Sequence, residues 1–290
     1  MNKLLSILVL SLALIACGGD DASAPSSSAE KRGLVSKAVV KTGSPDEAIE
    51  SIAANLKGNN IVGLMKAMMP PEAMEKARAE YIEERDAAEI TDAERAQFDE
   101  MLAKLTSDGA EDAMVAELEP QLASMGAQLP MMMAFGQMAA ASAIQENEEL
   151  SVDQKSQATD TMNATFKAIQ DADVTNPDLM RMAIGKVCDT ARSMDLTTLD
   201  AFRELSLDDA MGKAGIALGG MKDVLDVYGL SVDSMFDSVK TETISQDGSS
   251  ATVKVNYEVF GTPQSTDVLM TEVDGQWYVK DLIDQINESE

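Results

Sequence analysis

Ala251-Thr252-Val253-Lys254-Val255-Asn256-Tyr257-Glu258-Val259-Phe260 sets Val253, Val255, Tyr257 and Val259 against Thr252, Lys254, Asn256 and Glu258. Side chains on a strand point to opposite faces in turn, so this alternation describes one buried and one wetted face. A strand of that kind belongs to an antiparallel sheet covered on one side. Its neighbours fit the same sheet. Residues 238–245 are rich in Val, Thr and Ile and are followed by Asp247-Gly248, a turn dipeptide. On the other side Gly261-Thr262-Pro263 predicts a turn, residues 267–273 a further strand, and Asp274-Gly275 a hairpin into Gln276-Trp277-Tyr278-Val279. The sum is a meander of three or four strands over residues 237–290. A sheet so small must bury its apolar face on helices.

The helices come from the segment before it. Ser44-Pro45-Asp46-Glu47 has the form of a capping box with Pro at the first helical position. Ile49, Ile52, Ala53 and Leu56 then recur at i, i+3, i+4 and i+7, and Gly58 stops the pattern. Residues 61–69 form a short apolar stretch ending at Pro70-Pro71. From Pro71 a helix is expected to residue 88, with Met74, Ala77, Tyr81 and Ile82 inward. Thr91 to Glu94 caps a helix carrying Phe98, Met101, Leu102 and Leu105, and further starts fall at Ser107, Pro130, Ser151, Asn176 and Ser206. The expected fold is α+β: a mostly helical body over residues 34–236, then the meander, in one domain.

Composition narrows the function. Acidic residues number 50 against 23 basic ones, a formal net charge of −27. That field repels phosphate backbones, so nucleic acid is excluded as a partner. Histidine is absent, which removes Ser-His-Asp and Cys-His catalysis and the His-containing zinc sites. Carboxylate pairs such as Asp208-Asp209 and Glu148-Glu149 read as solvated or helix-start charges, and no glycine-rich phosphate loop follows a strand. No cofactor and no metal site is expected. Ser28-x-x-Lys31 with Lys41-Thr42-Gly43, and the calcium-loop-like start Asp171-Ala172-Asp173, lack the residues around them that either chemistry requires.

Twenty methionines stand out. Met131-Met132-Met133 and Met138 raise the question of thioether copper ligation, yet adjacent helical positions diverge by about 100° and cannot converge on one ion. Met65, Met68 and Met69 share a helix face at the spacing that core packing uses. An adaptable, ligand-receiving apolar surface is the second reading.

The amino terminus speaks to location. Lys3, an apolar run over residues 4–16, and small residues before Cys17 have the form of a signal peptide, too short to span a bilayer. Leu14-Ile15-Ala16-Cys17 resembles the lipobox of bacterial lipoproteins. The resemblance implies cleavage after residue 16, diacylglycerol on the Cys17 sulfur and acylation, palmitate among the chains, of its new amino group. Three chains anchor more firmly than one or two. Gly18, where Asp would favour the inner membrane, implies in a Gram-negative envelope the periplasmic face of the outer membrane. Residues 17–33 then serve as a polar tether. With Cys17 lipidated, Cys188 is a lone thiol and belongs in a packed interior.

Asp247-Gly248, the alternating strand and the terminal Asp274-Gly275-Gln276-Trp277-Tyr278-Val279 together resemble the end of small lipoproteins of the nuclear-transport-factor-two-like superfamily. That likeness implies a curved sheet around preceding helices, closed by the Gly-x-Trp strand, and it transfers no catalytic residue. The expected function is non-enzymatic: an anchored lipoprotein whose partner, besides the membrane, is an apolar ligand or an envelope protein. The alternative is a carboxylate-dependent hydrolase or isomerase with its pocket between sheet and helices.

Overall fold

A computed structural model describes residues 43–126, 128–147 and 150–288. The signal peptide, the lipobox residues Leu14, Ile15 and Ala16, the lipidation site Cys17, the sorting position Gly18 and the tether lie outside the described residues, as do Glu148 and Glu149.

Helices α1 (Pro45–Lys57), α2 (Ile61–Met68), α3 (Pro71–Ala87), α4 (Asp92–Thr106), α5 (Ala110–Gly126), α6 (Leu129–Glu146), α7 (Val152–Asp171), α8 (Pro177–Ser193), α9 (Leu199–Arg203), α10 (Leu207–Val227) and α11 (Asp233–Asp237) precede the sheet. Strands β1 (Lys240–Asp247), β2 (Ser250–Val259), β3 (Thr262–Val273) and β4 (Gln276–Val279) follow, and α12 (Lys280–Glu288) ends the described chain. The sheet is antiparallel in the order β1-β2-β3-β4, so the α+β class and the meander stand as read.

Local chemistry sets the helix starts. Thr91 accepts from the Glu94 N–H at 3.3 Å while the Thr91 N–H donates to the Glu94 carboxylate at 2.8 Å. Ser151 and Gln154 repeat that exchange. Each pair satisfies two of the first-turn donors that a helix leaves without internal partners. Asn176 Oδ1 accepts from the N–H groups of Asp178 and Leu179. The stretch that resembled the start of a calcium loop is therefore the turn leading into α8.

Three details differ from the sequence reading. The turn before β3 is Phe260-Gly261, with φ of 47° and 78°, so β3 starts at Thr262 rather than at residue 267. Pro263 faces Glu258 across β2, and β4 reaches only residues 270–273 of β3. Pro263 thus sits on a stretch that β4 leaves as an edge, where its missing N–H forfeits no ladder bond. The second difference is α12: the Gly-x-Trp strand does not close the chain but runs straight into a helix. The third concerns faces. Met74 and Ala77 are buried, but Ile82 and Met101 are about half exposed.

The core has three parts. Leu56, Ile61, Leu64, Met65, Met68 and Met74 join Met211 and Leu282 in a helical cluster. The inner face of β2, with Met270, Trp277 and Ile49 of α1, makes a second. Val115 of α5 packs on Met180, Ile184 and Cys188 of α8 in a third. Helix α10 threads between them because Gly215 lets it approach the α1–α2 turn; a Cβ there would lie 2.3 Å from the Asn59 carbonyl oxygen.

Cys188 is wholly buried, its thiol 3.8 Å from the Met114 sulfur. Burial, and next the Glu111 carboxylate, hold its pKa above the ordinary thiol value of about 9, against the opposing Arg192. A group whose pKa is raised on folding lends stability that is complete below the unfolded value and fades as pH climbs through the folded one. Urea midpoints should therefore fall between pH 8 and pH 10.5, and Cys188→Ala should shrink that fall. An unchanged fall would assign it to other groups, Tyr278 first, whose pKa burial also raises.

Candidate functional site

The helical and sheet clusters do not meet. Ile52 of α1 and Val279 of β4 touch both, yet each is only half-buried. What separates the two clusters is a cavity of about 240 Å³. Its floor is the inner face of the sheet, with Val255 and Tyr257 of β2, Thr266 and Val268 of β3 and Val279 of β4. α1 roofs it with Ile49, Ile52, Ala53 and Leu56, and α10 adds Ala214, Leu218 and Met221. Leu64 and Met68 of α2, Met235 and Phe236 of α11 and Leu282 of α12 close the ends. Met221 is half exposed, so the α10 side is where the cavity approaches solvent.

The floor and roof follow from patterns already described. Period-two residues of β2 face inward, and the i, i+3, i+4, i+7 stripe of α1 lies over them. The cavity itself is not a pattern. It is the space left where a 13-residue helix and a twisted sheet fail to match in shape, while the flanking helices hold them apart.

One charge borders this space. Lys222 is only 4% exposed. Its ammonium donates to the Leu56 and Lys57 carbonyls at 2.7 and 3.0 Å and pairs with Asp233 Oδ1 at 2.7 Å. It also lies 5.3 Å from the centre of the Phe236 ring. A cation suits the carbonyl end of α1, where the helix dipole is negative. Lys222 thus joins α10 to α1 through two hydrogen bonds and to α11 through an ion pair. Exchanging it for Met keeps the stem but strips two carbonyls and Asp233 of their partner. Lys222→Met should lower stability by about 1–3 kcal/mol in urea titrations. No loss would mean that these bonds do not persist in solution.

A second polar group is less settled. Gln264 is 5% exposed, and its Nε2 has no hydrogen-bond partner among the described residues. It lies on β3 two residues before Thr266, hence on the same inward face, and opposite Tyr257 in the register. A buried donor without an acceptor is costly and asks for a reason. Among the described residues no Asp or Glu lines the cavity, and no three Cys, Asp or Glu side chains are grouped to hold a metal. The sequence-level carboxylate pair lies elsewhere: Asp208 receives Arg78 through both oxygens, at 2.7 and 2.8 Å, and Asp209 accepts the Ser206 hydroxyl at 2.7 Å. Apart from Lys222, Tyr257 and Thr266 the lining is apolar, an arrangement that can enclose an apolar molecule.

Sequence reasoning found the α1 and β2 walls, and missed α11, α12 and these two polar residues. Lys222 had a signal, since it falls on the buried α10 stripe after Met211, Gly215 and Leu218. Gln264 had one too, as an inward residue, but the late start assigned to β3 left it in a turn. Met65, Met68 and Met69 are all buried, as core spacing predicts, whereas Met131, Met132 and Met138 of α6 are more than half exposed.

Comparison with protein families, with curated proteins and with solved structures finds no match to this chain.

Proposed function

We propose that this protein is a lipoprotein, anchored through Cys17 at the periplasmic face of the outer membrane, whose body binds a neutral apolar ligand between sheet and helices. The observation that carries the ligand reading is the apolar cavity of about 240 Å³. Apolar cavities on the order of 150 Å³ already take up a benzene-sized molecule. Its chemistry narrows the class. An anionic head would have to displace Asp233 from Lys222, the one cation among the described lining residues, whose ammonium already donates to two carbonyls. Tyr257 and Thr266 are the neutral polar residues of the lining, which suits a mostly hydrocarbon molecule with a small neutral polar group, such as an ester, at one end. The lipobox supports the location, and the tether keeps the cavity within reach of lipid. The hydrolase or isomerase alternative needs carboxylates in the pocket, and the lining supplies none.

The ligand reading is tested by titrating the body, from residue 34 onward, with N-phenyl-1-naphthylamine, a neutral fluorescent probe. A saturable rise at one equivalent, reversed by a neutral monoacylglycerol, is expected. A rise that never saturates counts against a discrete site. The anchor is tested separately, by palmitate labelling that Cys17→Ser abolishes.

A further inference from the structure

Residues 120–145 contain no Asp, Glu, Lys or Arg, although a quarter of the whole chain is charged. This run covers the second half of α5 and α6 up to its final Glu146. α6 turns outward the side chains that a surface helix ordinarily buries. Met131, Met132, Phe135 and Met138 are each more than half exposed, and at i, i+1, i+4 and i+7 they make one stripe. Its other side packs on α7. Gly136 lies against the Phe166 ring of α7, a Cβ there falling 3.6 Å away, and Gln137 Nε2 donates to Asn163 Oδ1 at 3.0 Å.

We propose that this stripe rests in the interface of an electrically neutral bilayer, with α6 flat on its surface. Crossing is not an option, since among the described residues no helix is long and apolar enough to span a membrane. A second copy fits less well. An 18-residue helix is about 27 Å long and presents a strip about 10 Å wide. Two such strips would bury roughly 540 Å², against about 1,200 Å² for a stable interface. The stripe also offers no charge to fix a protein partner's register, and Ser142 beside it already donates to Glu146. A bilayer demands neither a minimum area nor a register, and flexible Met side chains conform to acyl chains.

Charge decides the lipid. A chain of net charge −27 is repelled by anionic head groups, and the charge-free run is the surface it can lay on lipid without bringing carboxylates along. Proximity rests on the anchor reading above. Cys17 stands 28 residues before the start of α1 at Pro45. The body is thereby held where α6 can reach the surface.

The test uses the full-length protein in phosphatidylcholine vesicles with brominated acyl chains, which quench Trp at the acyl boundary. Phe135→Trp is compared with Val152→Trp, at an exposed site on α7, each against the unsubstituted protein. At an insertion depth of 5–10 Å the added fluorescence at 135 should drop about twofold, while that at 152 is unchanged. Equal quenching at the two positions overturns the proposal, as does a doubled mass with no quenching at 135, which would assign the stripe to a second copy. Mass spectrometry of the Cys17 fragment separates the anchor from the helix. Quenching at 135 without lipid on Cys17 sustains the helix proposal and removes the anchor; lipid without quenching does the reverse.

Discussion

Replacing Ala53 with Phe is expected to abolish ligand binding while leaving the fold as stable or more so, by about 0.5–2 kcal/mol. Ala53 lies on the inward stripe of α1 and lines the cavity. A benzyl group there occupies space that surrounding side chains do not fill and regains the contacts that a void forfeits. Overpacking would cost about 1–3 kcal/mol in a tight core, but a cavity of about 240 Å³ has room for one ring, so filling wins. The same ring excludes the ligand, and affinity for the naphthylamine probe should fall at least tenfold, about 1.4 kcal/mol. The pair of results is diagnostic: a stabilised protein that no longer binds identifies the cavity as the site. A destabilised Ala53→Phe would mean that the space is closed in solution. A stabilised variant with undiminished binding would place the probe elsewhere.

The largest loss of stability is expected at Trp277. This side chain is buried within the sheet cluster beside Met270, Val253 and Ile49, on a strand of only four residues. β4 pairs with β3 over residues 270–273 and leads directly into α12, so the indole secures both the end of the sheet and the helix that closes the cavity. Trp277→Ala should cost about 3–5 kcal/mol, a fall in Tm of roughly 6–20 °C for a chain of this size. Trp277→Phe retains a ring and should cost less. Val152→Ala, at an exposed position, should lie within about 0.5 kcal/mol of the parent. If Trp277→Ala cost no more than Val152→Ala, the sheet would not be docked on α1 as described.

What could be read from the chain was what is local. The capping boxes at Ser44, Thr91 and Ser151 need only four residues, and the alternation in β2 needs only its own strand, so both survive into the fold. α12 was missed because Val279-Lys280 carries no turn residue between strand and helix, and Leu282, Ile283 and Ile286 are too few to set a period against a preceding apolar strand. Pro263 was read as a turn because a central strand excludes proline; that β4 is too short to reach it depends on a neighbour, not on the residue. The faces of α6 were illegible for a related reason. With Met, Phe and Ala around most of its circumference, the pattern predicts a helix but not which side its neighbours cover. Ile82 and Met101 lie on real stripes, yet no neighbour covers them. The cavity is the extreme case, since each wall has the pattern of an ordinary core helix or strand and only their mutual fit leaves space.

The central claim is that this space carries an apolar molecule, and native mass spectrometry of the mature protein purified from its own membranes tests it most directly. The account predicts a species heavier than the lipidated chain by the mass of one neutral apolar ligand, and its absence from Ala53→Phe prepared in the same way. A single species at the mass of the lipidated chain alone, identical in the two proteins and unshifted by added monoacylglycerol, would contradict it.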